Sequence, residues 1–441
     1  MKVEQMYAFR VHRGWRRQPS ATPAASRWRQ LTYWASGPLV LLLVVGGLAD
    51  RAWAQPLWQS TRDVASDAVL RQRIERLYPQ RLRDVDHPRF NPPSVAKIRL
   101  GRMLFFDPNL SRCGTVACAS CHQPTHGFAS PYPVPPGCDG VRGRRRAPTL
   151  YNIAYQSHFF WDGRVQSLEQ QALFPIVSAA EMGNTWDAVV RYLSTGRHEP
   201  SGKVDADRRK AYAQHFADAF NGAITPITVS RALAAFERTI VTREAPFDRW
   251  RDGDDTALTP FQKRGLEIFF GRANCAVCHP PPWFTDGAFH NIAVPQAGFE
   301  TPDLFPHNAA IRKAIQTQGW TVPAAVDPGR QESLPLQSAT QDLGAFKTPT
   351  LRNVTRHWPY MHNGVFKTLE AVMHHYEQLA AGDLDPLVGK LAFYVRYRKA
   401  FFGARGGGSA DDIAAMVAFM SALEDPTPAL LGPANPTHPS Q

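Results

Sequence analysis

The chain has 441 residues, of which 44% are hydrophobic and 20% charged, with a formal net charge of +12 at pH 7. This length and composition fit a folded protein of two or more domains. Half of the net charge lies in residues 1–54, which hold eight Lys or Arg against two Asp or Glu, so +6 remains for the rest of the chain. Because that excess is modest, we exclude nucleic acid as an expected partner.

Residues 1–54 have the pattern of a secretory signal peptide. Basic sequence up to Arg29 precedes the apolar stretch GPLVLLLVVGGLA, and an A-x-A cleavage site ends at Ala54. The uncharged run 31–49 also approaches the ~17–25 residues that a membrane-spanning helix needs. An uncleaved anchor is therefore the alternative, and only with an anchor do we expect contact with the membrane. In both cases we expect export through a Sec-type signal.

Helical periodicity dominates the rest of the chain, and few runs alternate between apolar and polar residues as strands do. The predicted fold class is therefore mostly α. The Pro-rich segment 426–441 is predicted to be a disordered tail, and the charged segment 243–260 a linker. Apolar residues at helical spacing predict helices over 95–106, 227–241, 261–270, 368–380 and 410–423.

Four of the six cysteines fall into two C-x-x-C-H motifs, the signature of covalently attached c-type haem. The two thiols add to the porphyrin vinyl groups, and the histidine binds the iron. A zinc site would gather four ligands from paired motifs, and a redox dithiol does not need the histidine. Two copies in an exported chain therefore predict two covalently bound c-type haems. The motifs are Cys118, Cys121 and His122, then Cys275, Cys278 and His279.

The other two cysteines, Cys113 and Cys138, flank the first haem motif. In an oxidising compartment we expect a disulfide between them. A free thiol, or Cys138 close to the iron, stays open as an alternative. The nearby basic run 142–146 fits either a solvated loop or a role at a cofactor or partner.

A block of 23 residues occurs twice in the sequence without a gap. APTLYNIAYQSHFFWDGRVQSLE covers Ala147–Glu169, and TPTLRNVTRHWPYMHNGVFKTLE covers Thr348–Glu370, 201 residues later. Seven positions are identical, and the most conspicuous difference is Trp161 in the first copy against His362 in the second.

In each half of the chain a predicted helix, a haem motif and this block follow in the same order. The order predicts two cytochrome c-like haem domains that are related by internal duplication. We place the N-terminal domain at 55–245 and the C-terminal domain at 246–425.

With these motifs the chain resembles the bacterial di-haem cytochrome c peroxidases and, more narrowly, the group that includes MauG. The resemblance covers Ser94 to Leu423 and rests on both haem motifs and on the segments 159–183 and 346–370. It implies a periplasmic enzyme that reduces hydrogen peroxide at the first haem. The second haem would receive electrons from a small redox protein, a cytochrome c or a cupredoxin.

Two other functions remain open. One is a MauG-like oxidase that forms high-valent iron to oxidise the side chains of a protein substrate. The other belongs to a different class, a di-haem electron-transfer cytochrome without peroxidase activity.

The resemblance also assigns catalytic residues. Gln171 and Glu181 match the pair that stands over the open iron in the family. Cleavage of the peroxide O–O bond needs a group that takes a proton from one oxygen and returns it to the other, and a carboxylate suits this step. Trp161 matches a tryptophan between the haems that passes electrons, and His362 lies in the motif P-Y-x-H of the second pocket.

The axial ligands depart from those of the simpler peroxidases. Where those enzymes place a closing histidine on the loop after the first haem motif, this chain has Cys138, so we expect an open first iron; His126 and His158 are rival ligands. At the second haem the position of the usual methionine is Tyr376, as in MauG, and a tyrosinate lowers the potential that a thioether raises. Met361 and Met373 are its rivals.

Calcium is the one further cofactor to consider. Many relatives bind the ion between the domains, with an Asn before the A-P-T element. Here Arg146 stands in that position, and His357 replaces the usual Thr near the P-Y motif. Since a guanidinium can replace the charge of the ion, these departures argue against calcium.

Overall fold

The structure is a computed structural model that describes residues 66–198, 201–296, 327–334, 342–381 and 409–426, and the backbone of 429–430. Residues 1–54, where the sequence predicts a signal peptide, lie outside this part. The chain divides into a unit Met1–Gln55 and a unit Pro56–Gln441, and all features described below belong to the second. Within the described residues, no helix has the length and apolar character to cross a membrane.

The described part is mostly helical, as the sequence predicts. The helices are α1 (Asp67–Leu77), α2 (Val95–Phe105), α3 (Cys118–Cys121), α4 (Leu168–Gln171), α5 (Phe174–Val177), α6 (Trp186–Thr195), α7 (Ala206–Phe220), α8 (Pro226–Glu237), α9 (Pro246–Arg251), α10 (Pro260–Phe270), α11 (Leu369–Ala381) and α12 (Ala410–Ser421). The short strands are β1 (Ile240–Val241), β2 (Phe289–His290), β3 (Phe346–Lys347) and β4 (Ala429–Leu430), paired antiparallel as β1 with β4 and β2 with β3.

Local sequence explains where the longer helices begin. Helices α2, α8, α10 and α12 each start after a hydroxyl residue whose oxygen accepts a hydrogen bond from the backbone N–H three residues later. This cap satisfies one of the amides that the first turn leaves unpaired. Helices α8 and α10 also start with proline, which fits a position where no N–H is needed. The capping residues are Ser94, Thr225, Thr259 and Ser409.

Two helix pairs form the centres of the core, α2 with α8 and α10 with α12. Both crossings are close enough to require glycine. A Cβ atom on Gly101 of α2 would stand 1.9 Å from the carbonyl oxygen of Ala232, and one on Gly265 of α10 would stand 1.9 Å from that of Ala415. The backbones of each pair are therefore in direct contact.

The substitution Gly101→Ala is expected to destabilise the protein by about 1–3 kcal/mol or more, because the added methyl group forces α2 away from α8. Chemical unfolding of the haem-loaded protein measures this loss. The control is Gly143→Ala, since a Cβ there comes no closer than 4.0 Å to Ala180; we expect a change within about 0.5 kcal/mol. Equal stability of the two variants would contradict the close crossing.

The two copies of the repeated block make matching contacts. Asn152 and Asn353 both have left-handed backbone, with φ of 59° and 58°. Their side-chain amides donate to the same hydroxyl of Thr242, at 2.7 Å and 3.1 Å. Thr149 and Thr350 each donate a hydrogen bond of 2.6 Å to a carbonyl in the loop after the nearest C-x-x-C-H motif. The two blocks therefore link both motif loops, through hydrogen bonds, to the region around Thr242.

The first described helix corrects the predicted boundary of the N-terminal domain. Leu70 and Ile74 of α1 are fully buried in the core cluster that also contains Phe247 and Trp250 of α9 and the α10–α12 pair. Lys263 of α10 donates to an aspartate of α1 at 2.7 Å. Although α1 lies within the predicted segment 55–245, it packs with the C-terminal core.

Two further predicted segments contain secondary structure in the described part of the chain. The predicted linker 243–260 contains α9, with Phe247 and Trp250 fully buried. The predicted tail 426–441 contains β4, which pairs with β1 in the register Ile240 to Leu430. The rest of the tail after 430 lies outside the described residues.

Candidate di-haem site

The first C-x-x-C-H motif opens onto a cavity of about 430 Å³. Helix α3 carries both cysteines, and the histidine follows directly. The wall is largely apolar and also contains the predicted catalytic residues. The predicted site residues in this wall are Cys118, Cys121, His122, Trp161, Gln171 and Glu181.

The second motif opens onto a cavity of about 160 Å³. All three proposed sixth ligands of this haem lie in its wall, so the geometry brings Tyr376, Met361 and Met373 to the same site without choosing among them. The wall also contains Cys275, Cys278, His279, Trp161, His357 and His362.

Backbone carbonyls orient both motif histidines for binding a metal through Nε2. The Nδ1 atom of His122 donates to the carbonyls of Phe128 and Pro148 at 3.1 Å and 3.0 Å. The Nδ1 atom of His279 donates to the carbonyl of Phe284 at 3.0 Å. Such bonds fix the tautomer and ring orientation of a ligand. Burial lowers the pKa of His122 to about 4, so this ring is neutral, as ligation requires.

The two cavities therefore fit covalent haem. Each combines an apolar wall, a pair of thiols two residues apart and an oriented imidazole. None of the four motif cysteines forms a disulfide. Burial raises the pKa of the Cys121 thiol to about 12 and raises that of Cys118 still further.

Glu181 is a half-buried carboxyl group in the wall of the first cavity. Burial raises its pKa above the ordinary value, while the charge of Arg164 and a hydrogen bond from Ser178 act in the opposite direction. Gln171, at the end of α4, is half-buried in the same wall. The structure thus gathers the two distal residues that the resemblance assigns, and places them in the cavity that contains His122.

Trp161 lies in the wall of both cavities. Its indole Nε1 donates to the carbonyl of Arg146 at 2.8 Å, which fixes the ring. Its counterpart in the repeat, His362, faces it with ring centroids 6.4 Å apart, and the ring of Phe346 stacks on His362 at 3.6 Å. The residues that differ between the two copies therefore meet at the wall between the cavities.

The rival ligands of the first iron lie elsewhere. His126 donates through Nε2 to the carbonyl of Trp358, and His158 is hydrogen-bonded to Ser157 at 3.0 Å. Neither histidine is among the described residues that line the first cavity.

Cys113 and Cys138 form a disulfide bond. The backbone N–H of Cys138 donates to the carbonyl of Glu181 at 2.8 Å, and Cys138 is buried. The bond therefore joins the segment before the first haem motif to the loop after it, and that loop is in turn hydrogen-bonded to the backbone of Glu181.

The double variant Cys113→Ser/Cys138→Ser is expected to lose about 3 kcal/mol of stability, because the bond closes a loop with a sequence separation of 25. Urea unfolding with and without a reductant measures the effect. Reductant should shift the midpoint of the wild-type protein and leave that of the variant unchanged. Identical midpoints for both proteins without reductant would contradict the stabilising role.

The basic run 142–146 is not a solvated loop at its C-terminal end. Arg145 is paired with Asp162, Asp327 and Glu332 at 2.6–2.8 Å, and its guanidinium holds the pKa of Asp327 well below the ordinary range of a carboxyl group. Arg145 is therefore not part of a solvated loop, and a role of the run at a cofactor or partner stays a prediction.

Arg146 is buried and lies in the walls of both cavities. Its Nη2 donates to the carbonyls of Ser130 and Trp358 at 2.6 Å and 3.0 Å. The guanidinium thus brings a positive charge to these carbonyls, and the prediction against calcium stays a prediction.

Two buried titratable residues at the first cavity were missed by sequence reasoning. Lys347 lies in both cavity walls, and burial lowers its pKa to about 7. Glu237, at the end of α8, lines the first cavity, and burial raises its pKa to about 8. Lys347 directly precedes the second repeated block, which was a usable signal; nothing in the helical pattern around Glu237 marked it.

Two haem-attachment motifs, each at its own apolar cavity in a mostly helical chain, define a di-haem c-type cytochrome. The family model for di-haem cytochrome c peroxidase, CCP_MauG, matches residues 95–256. Methylamine utilization protein MauG of Methylorubrum extorquens is 39% identical over 340 residues, which are 76% of this chain and 83% of that protein. The chain therefore belongs to the di-haem cytochrome c peroxidase family, which includes MauG, and its cofactors are two covalently bound c-type haems.

The other relatives include cytochrome-c peroxidases as well as MauG-like proteins. Cytochrome-c peroxidase IdrP1 of Pseudomonas sp. (strain SCT) is 35% identical over 66% of this chain and 74% of its own length. Among solved structures, a MauG-like protein associated with microbial copper homeostasis matches with a TM-score of 0.61 and 26% identity, over 80% of this chain and 96% of that one. Members of this family are oxidoreductases. Sequence similarity does not decide whether this chain acts as a peroxidase or as an oxidase of protein side chains.

Proposed function

We propose that this protein is a periplasmic peroxidase that reduces hydrogen peroxide at the first haem with electrons from a small redox protein. The observation that carries this proposal is the carboxyl group of Glu181, which lines the first cavity together with His122. A carboxyl group with a raised pKa in an enclosed haem cavity is suited to hold and release a proton. A protein that only carries electrons has no use for such a group at its iron.

When bound, the first haem supplies an iron that coordinates peroxide and provides the electrons for O–O cleavage. Glu181, in its ionised form, accepts the proton of the nearer oxygen and returns it to the departing one. The amide of Gln171 orients the peroxide by hydrogen bonding. The overall reaction consumes one H₂O₂, two protons and two electrons and releases two molecules of water.

Trp161 is proposed to connect the two sites. Its ring lines both cavities and is fixed by the carbonyl of Arg146. A large aromatic ring in the shared wall shortens the distance over which an electron must pass between the cofactors. We assign the second cavity, with Tyr376 as the sixth ligand, to the haem that receives electrons.

The second candidate function is oxidation of side chains in a protein substrate, as in MauG. Two observations favour it: the 39% identity to MauG, and the presence of Tyr376 in the wall of the second cavity. A tyrosinate ligand stabilises oxidised iron and so suits an enzyme that stores oxidising equivalents on both haems.

We also propose that the chain is a duplicated haem domain that is exported by its N-terminal segment. The matched contacts of Asn152 and Asn353 with Thr242 support the duplication. The equivalent glycine crossings at Gly101 and Gly265 support it as well. The boundary near 245 is retained, except that α1 belongs with the C-terminal core.

The test is steady-state reduction of hydrogen peroxide by the haem-loaded protein, with a reduced c-type cytochrome as the donor. We expect peroxide-dependent oxidation of two donor molecules per peroxide. Fast electron exchange with the donor but no reaction with peroxide would overturn the proposal in favour of a plain electron carrier. Reaction with peroxide without oxidation of any small redox protein would favour the MauG-like function.

A further inference from the structure

A stacked pair of aromatic rings joins the loops beside the two cavities. The ring centroids of Tyr155 and Trp283 lie 3.6 Å apart, with their planes 18° from parallel. Aromatic pairs in proteins more often lie about 4.5–7 Å apart in offset or edge-to-face arrangements, so this contact is unusually close. Both side chains are half-buried, and the pair is therefore partly accessible from the surface.

Trp283 belongs to the loop that orients the axial histidine of the second haem. It lies four residues after His279. The next residue, Phe284, accepts the Nδ1 hydrogen bond of that histidine at 3.0 Å. The carbonyl of Trp283 accepts a hydrogen bond of 2.6 Å from Thr350, which lines both cavities. The backbone of Trp283 is therefore fixed in the loop beside the second haem site.

Tyr155, the other ring of the pair, belongs to the first repeated block. It ends a short 3₁₀ turn, Ile153–Tyr155, and the neighbouring Gln156 lines the first cavity. Its hydroxyl donates to the carbonyl of Arg83 at 2.9 Å and accepts from Arg243 at 3.0 Å. These two partners are a carbonyl and a guanidinium, and neither is a base that would take the phenol proton.

The proton chemistry decides which ring of the pair carries charge. A tyrosine that loses an electron must also lose its proton, and the described hydrogen bonds of Tyr155 offer no base. Burial also raises the pKa of Tyr155, although Arg243 opposes this shift. An indole can lose an electron without first losing a proton, so Trp283 is the carrier and Tyr155 its stacking partner.

We propose that Trp283, stacked on Tyr155, relays single electrons between a docked redox protein and the second haem; this inference rests on the proposed function. In each cycle Trp283 gives one electron to the second haem. The ring of Tyr155 shares the positive charge that this leaves on Trp283. The partner then returns one electron to Trp283. Two cycles, with two protons, reduce one H₂O₂ to two waters and oxidise two partner molecules.

The test compares Trp283→Phe with Trp358→Phe in the haem-loaded protein. Trp358 is the matched control, because it is 50% exposed and lies in the second block but outside the stack. With a reduced c-type cytochrome as the donor, Trp283→Phe should slow donor oxidation at least tenfold. The absorbance change on adding peroxide without donor should keep its rate, and Trp358→Phe should match the wild type in both assays.

Two variants of Tyr155 separate stacking from proton loss. Tyr155→Phe keeps the ring and should stay within about twofold of the wild-type rate of donor oxidation. Tyr155→Leu removes the stack and should lower that rate severalfold. After repeated peroxide additions without donor, peptide mapping by mass spectrometry should find oxygen added to Trp283, and less of it in Tyr155→Leu.

Three results would overturn the relay. One is unchanged donor oxidation in Trp283→Phe, and another is an equal loss in Trp358→Phe. The third is an unmodified Trp283 after peroxide treatment that oxidises other side chains. If the wild-type protein does not react with peroxide at all, the proposed function is overturned, and the relay with it. The assay without donor detects this outcome, because it measures the reaction of the haem-loaded protein with peroxide alone.

Discussion

Glu181→Gln is expected to lower the turnover number for peroxide reduction by about 10²–10⁴-fold, the range for loss of a general acid–base group. The amide has almost the same shape as the carboxyl group but cannot accept the proton of the bound peroxide. Because the side chain lines the first cavity and does not belong to a haem motif, both haems should still be attached. Steady-state kinetics and the haem content of the purified variant measure the two effects.

The pH profile gives a second measure of Glu181. Its ionised form is the one that accepts the proton, and burial raises its pKa above the ordinary value. Activity should therefore fall as the pH drops through this raised pKa, at a higher pH than an exposed glutamate would cause. This limb should vanish in Glu181→Gln. The control is Glu244→Gln, an exposed position, and equal losses in both variants would contradict the assignment.

Tyr376→Met is expected to raise the reduction potential of the second haem by an amount on the order of hundreds of millivolts, since axial ligands set haem potentials over about 0.8 V. The physical reason is the ligand charge: an anionic phenolate stabilises ferric iron, whereas a neutral thioether favours ferrous iron. Helix α11 carries Tyr376 into the wall of the second cavity. Potentiometric titration followed by absorbance measures the shift.

The rival methionines supply the controls for this assignment. Met361→Leu and Met373→Leu change residues of the same cavity wall and should leave the potential and the low-spin spectrum close to those of the wild type. If Met361→Leu converts the second haem to a high-spin form while Tyr376→Phe does not, then Met361 is the ligand and our assignment is wrong.

Local patterns in the sequence predicted several helices well, because an α-helix makes its backbone hydrogen bonds within its own segment. The periodicity over 95–106 and 410–423 corresponds to α2 and α12 within one or two residues. The helix predicted over 227–241 ends earlier, at Glu237, and its last two residues form β1. Their partner is β4, almost 190 residues later in the chain, and periodicity within one segment cannot reveal such a contact.

The same limit explains the linker. The charged segment 243–260 was predicted to be a linker, but its Phe247 and Trp250 are buried in one cluster with Leu70 and Ile74 of α1. Only the fold brings that helix, with its fully buried Leu70 and Ile74, to this position. A burial that depends on a distant element leaves no local pattern.

For the residues of the site, sequence motifs predicted more than amino-acid composition did. The C-x-x-C-H pattern predicted the attachment residues at both cavities, because covalent attachment demands a fixed spacing, whereas Gln171, Glu181 and Tyr376 were assigned through the resemblance to the family. Lys347 and Glu237 were not found, since a single buried charge has no spacing rule. The contact of Trp161 with His362 also needed the structure, although the sequence marked both as the difference between the copies.

The most direct test of the central claim, an open first haem served by Glu181, is a peroxide titration of the fully oxidised protein. Absorbance and electron paramagnetic resonance would be recorded before and after each addition. We predict one high-spin and one low-spin haem at rest, and a reaction of the high-spin signal with peroxide without prior reduction. Two low-spin haems that ignore peroxide both before and after reduction would contradict the account.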